Sequence, residues 1–320
     1  MPKKNSEIVN LVTGGAGFIG SHLVEALLAR GEQVRVLDNF STGHRRNLRG
    51  LEAAELIEGD IREPETCRRA CAGVDYVFHE AALPSVPRSI ADPETTHAVC
   101  ATGTLNVLQA ARAAAVRRVI YAGSSSAYGN TEVLPKVETM APAPRSPYAV
   151  AKLAGEHYCA AYFHAYGLET VTLRYFNIFG PRQDPNSQYS GVIARFCTQL
   201  LAGDTCTIHG DGETTRDFTY IANAVQANLL ARDAAPAPGR MYNVACGERT
   251  SLMELHAALA EAAGCTAKPR LAPERAGDIK HSLADITAAK RDLGYTPAVD
   301  LRSGLRRTFA SYSRKLVQTA

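Results

Sequence analysis

Tyr148 and Lys152 stand four residues apart in SPYAVAK, residues 146–152, and Ser124 lies upstream in AGSSSAYG. A free tyrosine has a pKa of about 10 and is a poor base at neutral pH. A nearby ammonium favours the phenolate and lowers that value. On a helix, positions four apart share a face, so this spacing brings Lys152 close to the Tyr148 side chain. Ser124, ending a strand-like run, is placed to relay a proton between a substrate hydroxyl and the phenol. With 13 tyrosines and 8 lysines in 320 residues, chance alone yields roughly 0.3 such pairs. The frame around the pair has to decide its meaning.

A second constellation supplies that frame. LVTGGAGFIG sets Gly14, Gly15, Gly17 and Gly20 directly after an apolar run and at the start of a helical pattern. Glycines there permit a sharp turn and a close approach to a pyrophosphate, and the helix N-terminus adds unpaired N–H groups and a positive dipole. Asp38, ending VRVLD, can accept both ribose hydroxyls of an adenosine and would repel a 2′-phosphate, which favours NAD over NADP. Asn39, Ser41 and Thr42 extend polar contacts around that ribose, and Asp60 with Ile61 flank the adenine. The positive ring of NAD then joins Lys152 in favouring the Tyr148 phenolate, while Lys152 also holds the nicotinamide ribose.

These residues need a scaffold, and the first half of the chain describes one. IVNLVTG, QVRVLD, AELIEGD, VDYVFHEAA and RRVIYAGSS read as strands, with helices near 19–30, 65–71 and 94–115 between them. Such alternation implies parallel pairing through right-handed crossovers, a doubly wound sheet. Residues 146–165 read as a helix and 170–177 as the next strand. Gly, Pro, Asp and Asn then mark loops through residue 191 and again in HGDGE, where a smaller lobe begins. A helix at 221–232 and a strand at 241–245 return to the sheet. Helices near 251–263 and 285–293 and a terminal one follow. The fold expected is α/β, a Rossmann-type doubly wound parallel sheet with a smaller α/β substrate lobe. Residues 1–177 and 217–245 make the NAD-binding part, and 178–216 with 246–320 make the lobe.

Composition narrows the remaining choices. A net charge of +3 with mixed acids and bases leaves no footprint for nucleic acid or membrane. His44, Arg45 and Arg46 read as a solvated loop. No run of 18 apolar residues occurs, and the opening apolar patch has strand length, so a cytoplasmic protein is expected. The eight cysteines form no C-x-x-C pair and the nine histidines no H-E-x-x-H, so reduced thiols and no metal are expected.

Taken in order, TGGAGFIG, HEAA, SSSAYG, SPYAVAK, LRYFNIFGPRQDP, GDGETTRDFTYI and RAGDIKHSLAD resemble the extended short-chain dehydrogenase/reductases, specifically nucleotide-sugar epimerases and dehydratases, over nearly the whole length. The resemblance implies Ser124, Tyr148 and Lys152 as catalytic positions, with Ser126 as a helper. It implies cofactor contacts from Gly14, Gly17, Phe18, Ile19, Gly20, Asp38, Asn39, Ser41, Thr42, Gly43, Asp60, Ile61, Ala81, Ala82 and Tyr175, besides Tyr148 and Lys152. It also implies a homodimer through a four-helix bundle of the helices near 94–115 and 147–165.

Dehydratases of that family carry adjacent acids just after the serine or threonine relay, and related decarboxylases a glutamate at the second position. Here Ser125 and Ser126 stand there, and a serine cannot supply that chemistry at neutral pH. What remains is oxidation and reduction at one carbon, C4 epimerisation of a UDP-hexose with NAD regenerated each cycle. For the substrate, the resemblance implies Arg216 and Arg275 on the diphosphate, where a guanidinium fork matches phosphate oxygens, Asp278 on the uridine ribose, Asn177 on phosphate or sugar, and Val192 on the base. Ser85 and Arg88 in LPSVPRS reach over the sugar, and Ser282 leaves room for a 2-acetamido group. LPSVPRS, RQDPN and DIKHSLADI resemble bacterial UDP-N-acetylglucosamine 4-epimerases more than the plain UDP-glucose enzymes, with UDP-glucose and UDP-galactose kept as candidate substrates. UDP-glucuronate 4-epimerases and other sugar-specific members stand as alternatives, as does an NAD-binding redox sensor without turnover. Two departures stand out: Cys100 where relatives carry an asparagine near the cofactor, and Glu80 in HEAA where an amide or apolar residue is commoner.

Overall fold

Aliphatic and β-branched runs separated by amphipathic stretches fold as alternating strand and helix, and the computed structural model describes residues 4–184, 191–274 and 280–319. The first half runs β1 (Val9–Thr13), α1 (Phe18–Ala29), β2 (Gln33–Asp38), β3 (Glu55–Glu58), α2 (Pro64–Cys71) and β4 (Tyr76–His79). It continues through α3 (Val86–Ala91), α4 (Pro93–His97), α5 (Gly103–Ala113), β5 (Arg118–Ser124), α6 (Pro147–Tyr166) and β6 (Glu169–Tyr175). Beyond it come β7 (Ile178–Phe179), α7 (Val192–Ala202), β8 (Thr207–His209), β9 (Thr215–Arg216), β10 (Thr219–Tyr220) and α8 (Ile221–Asp233). The chain ends through β11 (Arg240–Val244), β12 (Thr250–Ser251), α9 (Leu252–Ala262), β13 (Arg270–Ala272), α10 (Thr287–Leu293) and α11 (Leu301–Thr319).

Seven strands form one sheet in the order β11-β6-β5-β4-β1-β2-β3, and every pairing in it is parallel. This is the Rossmann-type doubly wound arrangement that the alternation predicts. Neighbouring residues on the central strands face opposite ways. Val12, Phe78 and Ile120 pack with Leu23, Leu27 and Ala224 of α1 and α8, while Leu11, Val77 and Val119 pack with Leu108 of α5 and Ala151 of α6. Each such side chain, fully buried, contributes about 1.5–3 kcal/mol. The C-terminal ends of β1 and β4 therefore meet rigidly at the point where chain order reverses, the place such sheets offer a ligand.

Two elements differ from the sequence reading. The helix expected over 94–115 is broken by a π turn at Ala98–Thr102. A polar chain lies against the turn: Thr13 Oγ1 lies 2.7 Å from His79 Nδ1, His79 Nε2 lies 3.0 Å from Thr104 Oγ1, and the Thr104 hydroxyl donates to the Cys100 carbonyl at 2.7 Å. Burial holds His79 neutral by pushing its pKa down to about 3. Second, residues after 191 continue at once into helix α7, which buries Ile193, Ala194, Phe196 and Cys197 and ends on left-handed Gly203. The strand at β11 does rejoin the sheet, paired with β6.

Candidate active site

The loop after β1 is shaped by steric demand. Gly14 has φ of +70°, and a Cβ there would come within 2.8 Å of the Ala81 backbone; one on Gly20 would come within 2.2 Å of the Gly14 carbonyl. Helix α1 begins at Gly17 with no side-chain cap, so its first N–H groups are open to an anion. That end faces a cavity of about 930 Å³ running along the C-terminal edge of the sheet. Gly14, Gly17, Phe18, Ile19, Gly20, Asp38, Asn39, Ser41, Thr42, Gly43, Asp60, Ile61, Ala81, Ala82 and Tyr175 all line it. Asp38 also builds the loop, because its carboxylate accepts from the Ala16 amide at 2.9 Å and the Phe40 amide at 2.8 Å. Burial raises its pKa, and those two amides with His44 act against the rise. Asn39 donates to Asp60 at 2.7 Å, which ties the second strand's end to the third's. The uncapped helix, the glycine cradle and the carboxylate fit an adenine dinucleotide.

At the other end stand the three residues expected to be catalytic. Ser146 caps α6 by accepting from the Ala149 amide at 3.2 Å, Pro147 takes the first helical position, and the helix stops on left-handed Gly167. The cap places Tyr148 in the first turn and Lys152 one turn on. Both line the cavity with Ser124. The Ser124 hydroxyl lies 2.8 Å from that of Ser126, which also donates its amide at 3.2 Å. Ser126 itself is not in the cavity wall. It positions Ser124.

Without the cofactor's positive ring, the chain alone does not lower the Tyr148 pKa. Lys152 is buried, and its ammonium lies over the Tyr121 ring, 4.3 Å from the centroid. Desolvation lowers the Lys152 pKa, and nearby Cys100 and Glu80 act against that. Tyr148 is raised, not lowered: burial dominates, Cys100 adds to it, a hydrogen-bonding contribution from Ser124 opposes it, and Glu80 adds again. Removing a phenolate from water costs more here than the chain's own charges return. Glu80, the departure in HEAA, is open only to the cavity, and burial lifts its carboxyl to about 7.

Ser85, Arg88, Asn177, Val192 and Arg216 share the same cavity. Several are partly engaged: the Ser85 hydroxyl caps α3 by accepting from the Arg88 amide at 3.1 Å, and Asn177 donates to the Asp217 carbonyl at 2.8 Å. Arg216 donates to the carbonyls of Thr215 at 2.9 Å and Lys280 at 3.3 Å. Ser282 does not line the cavity, and its amide donates to the Thr215 carbonyl at 3.1 Å. It caps no helix, since α10 begins at Thr287. Arg275 and Asp278 lie outside the described residues. Cys100 is buried behind the wall, its sulfur accepting from the Leu83 amide at 3.4 Å.

The loop read as solvated is only partly so. Arg45 and Arg46 are exposed, but His44 lines the cavity, with its Nε2 2.9 Å from Asp184, 140 residues away. Beside it Arg182 pairs with Glu25 of α1 at 2.5 Å. Together these contacts strap the segment after β7 across the dinucleotide end. Among the described residues no three His, Cys, Asp or Glu side chains gather as a metal site.

A seven-stranded parallel sheet with a glycine turn at its switch point and a tyrosine, lysine and serine at one cavity defines a dinucleotide-binding protein equipped for proton and hydride transfer. The chain belongs to the NAD dependent epimerase/dehydratase family, whose model matches residues 10–245. It is 41% identical over 311 residues, 95% of this chain and 98% of the other, to a UDP-glucose 4-epimerase of Mycolicibacterium smegmatis. The structure of a Thermotoga maritima UDP-glucose 4-epimerase with UDP-glucose superposes with a TM-score of 0.92 at 38% identity, covering 97% of this chain and all (100%) of that one. A Methanobrevibacter ruminantium UDP-N-acetylglucosamine 4-epimerase in complex with UDP-N-acetylmuramic acid also gives 0.92, at 36% identity over 98% of this chain and 100% of that one.

Proposed function

We propose that the protein is a UDP-sugar 4-epimerase that inverts C4 of a UDP-hexose, with UDP-glucose and UDP-N-acetylglucosamine, each with its galacto epimer, as the candidate substrates; Ser282, off the cavity wall, does not favour the acetylated pair. The observation that carries this reading is the meeting of Ser124, Tyr148 and Lys152 in one cavity with serines, not acids, at positions 125 and 126. Bound NAD supplies the hydride acceptor and a positive ring. Tyr148 takes the proton of the sugar 4-hydroxyl, directly or through Ser124, as hydride leaves C4 with its electron pair. Lys152 holds the ribose and balances the phenolate. The 4-keto sugar then turns about its diphosphate, and the hydride and proton return on the opposite face. Glu80 does not restore dehydratase chemistry, since it follows β4 instead of Ser124 and is held on the Tyr175 hydroxyl at 2.7 Å.

On this reading residues 1–177 and 217–245 hold NAD, while 178–216 with 246–320 hold the nucleotide sugar. The protein works as a homodimer through α5 and α6, consistent with Val150, Tyr158 and Tyr166 of α6 being 52%, 39% and 54% exposed. Its eight cysteines are free thiols, as a reducing cytoplasm would keep them. The test is incubation with UDP-N-acetylglucosamine and UDP-glucose separately, resolving C4 epimers by NMR. Tyr148→Phe should bind NAD normally and lose at least about 10²-fold in turnover. Near-normal turnover would remove Tyr148 from the mechanism.

A further inference from the structure

Glu80 is a carboxylate placed in the catalytic half of the cavity that the epimerase chemistry does not use. It follows β4 directly, at the sheet's switch point. Its Oε1 accepts from the Tyr175 hydroxyl at 2.7 Å, and that hydroxyl in turn accepts from Asn228 Nδ2 of α8 at 2.6 Å. A three-residue chain thus runs from α8 through the end of β6 to the end of β4. It fixes Tyr175 against the cavity wall. The charged and titratable groups facing Glu80 are Lys152 and Tyr148 of α6 and Tyr175 of β6. Cys100 of the π turn acts on the same Lys152 and Tyr148, and adjacent His79 is buried and neutral.

We propose that Glu80 is a positioning residue that fixes Tyr175 beside the cofactor and, through its negative charge, holds bound NAD in its oxidised form between turnovers. When hydride arrives with its electron pair, a new C–H bond forms on the nicotinamide and the ring's positive charge is lost. A nearby carboxylate stabilises the cationic form and not the neutral one, so the reduced state is disfavoured by the strength of that attraction. Lys152 acts in the opposite sense, and an ionised Glu80 offsets it. The inference rests on NAD occupying the cavity and does not require the sugar chemistry.

The charge is pH-dependent. Because burial raises the Glu80 carboxyl from its usual value to about 7, the preference for oxidised cofactor should be present above that pH and fade below it. Glu80→Gln preserves the acceptor for Tyr175 and removes only the charge. The measurement is the affinity of purified, cofactor-stripped protein for NAD and for NADH separately, by calorimetry, between pH 5.5 and 8.5. At pH 8.5 the ratio of NADH to NAD dissociation constants should fall about tenfold in the variant, equivalent to about 30 mV for a two-electron couple. At pH 5.5 the two proteins should agree. Equal ratios at pH 8.5, or a difference that persists unchanged at pH 5.5, would overturn the proposal. Should Glu80→Gln fail to fold, the wild-type ratio must still rise across about pH 7, and a flat ratio overturns it. Failure of the epimerase assay with this ratio intact would count against the sugar reading alone.

Discussion

Asp38→Asn tests whether the carboxylate builds the dinucleotide loop as well as reading its ribose. The carboxylate is 8% exposed and accepts two backbone amides, from Ala16 on the glycine turn and Phe40 on its own turn. Asparagine has one acceptor oxygen, so one amide would face an NH₂ group. That forfeits a hydrogen bond to a charged group, about 1.5–3 kcal/mol, and leaves a buried N–H unsatisfied at about 1–3 kcal/mol more. Burial already disfavours the ionised carboxyl, and a neutral amide recovers part of this sum. A net cost of about 2–4 kcal/mol remains. Differential scanning calorimetry of the cofactor-free variant should then show a lower melting temperature by roughly 3–6 °C. Calorimetric titration should show NAD affinity lowered at least about tenfold further, because the ribose also loses its acceptor. A cofactor-free melting temperature equal to wild type, with only the affinity weakened, would refute the loop-building role.

Three other outcomes follow from the same geometry. Arg174 and Glu156 form a buried two-bond pair at 2.9 and 2.6 Å, so Glu156→Gln should lower unfolding free energy by about 3–5 kcal/mol in a urea titration. His44→Ala cuts the strap to Asp184. It should speed NAD dissociation about tenfold in a stopped-flow displacement experiment while leaving the melting temperature unchanged. Ser124→Ala should reduce kcat by about 10²-fold with NAD affinity unaltered, and Ser126→Ala, which loosens Ser124 without touching the cavity, should cost less.

What the sequence reveals and what it hides divides along the range of the interactions. The sheet was legible because each strand and crossover is written in a continuous stretch, and helix α6 because Ser146, Pro147 and Gly167 mark its ends locally. The cavity residues after β1, β2 and β4 follow from strand ends, which the topology then gathers. The polar chain beside the π turn is hidden because Thr13, His79 and Thr104 meet from three elements. The His44 to Asp184 contact joins residues 140 apart, and nothing near His44 advertises it. Helix α7 escaped notice because the Gly- and Pro-rich stretch before it reads as loop through residue 191, although its buried face has ordinary helical spacing.

The raised phenol carries the largest consequence for mechanism. The sequence credits Lys152 and the positive ring of NAD together with favouring the Tyr148 phenolate; the fold buries both residues, and burial opposes the charged form of each. The two demands are compatible only if the positive charge that favours the phenolate arrives with oxidised cofactor. On the proposed mechanism Tyr148 stays protonated in the free protein and becomes a base when NAD is seated beside it. The same burial would keep water from the keto intermediate of that mechanism. Proton acceptance and hydride acceptance are thereby tied to one binding event. This predicts that the phenol's ionisation, followed by ultraviolet difference absorbance near 295 nm, as ~1 phenolate per chain, shifts to lower pH on adding NAD and does not shift on adding NADH. An equal shift with both cofactor forms would show that contact, not the ring's charge, governs the base.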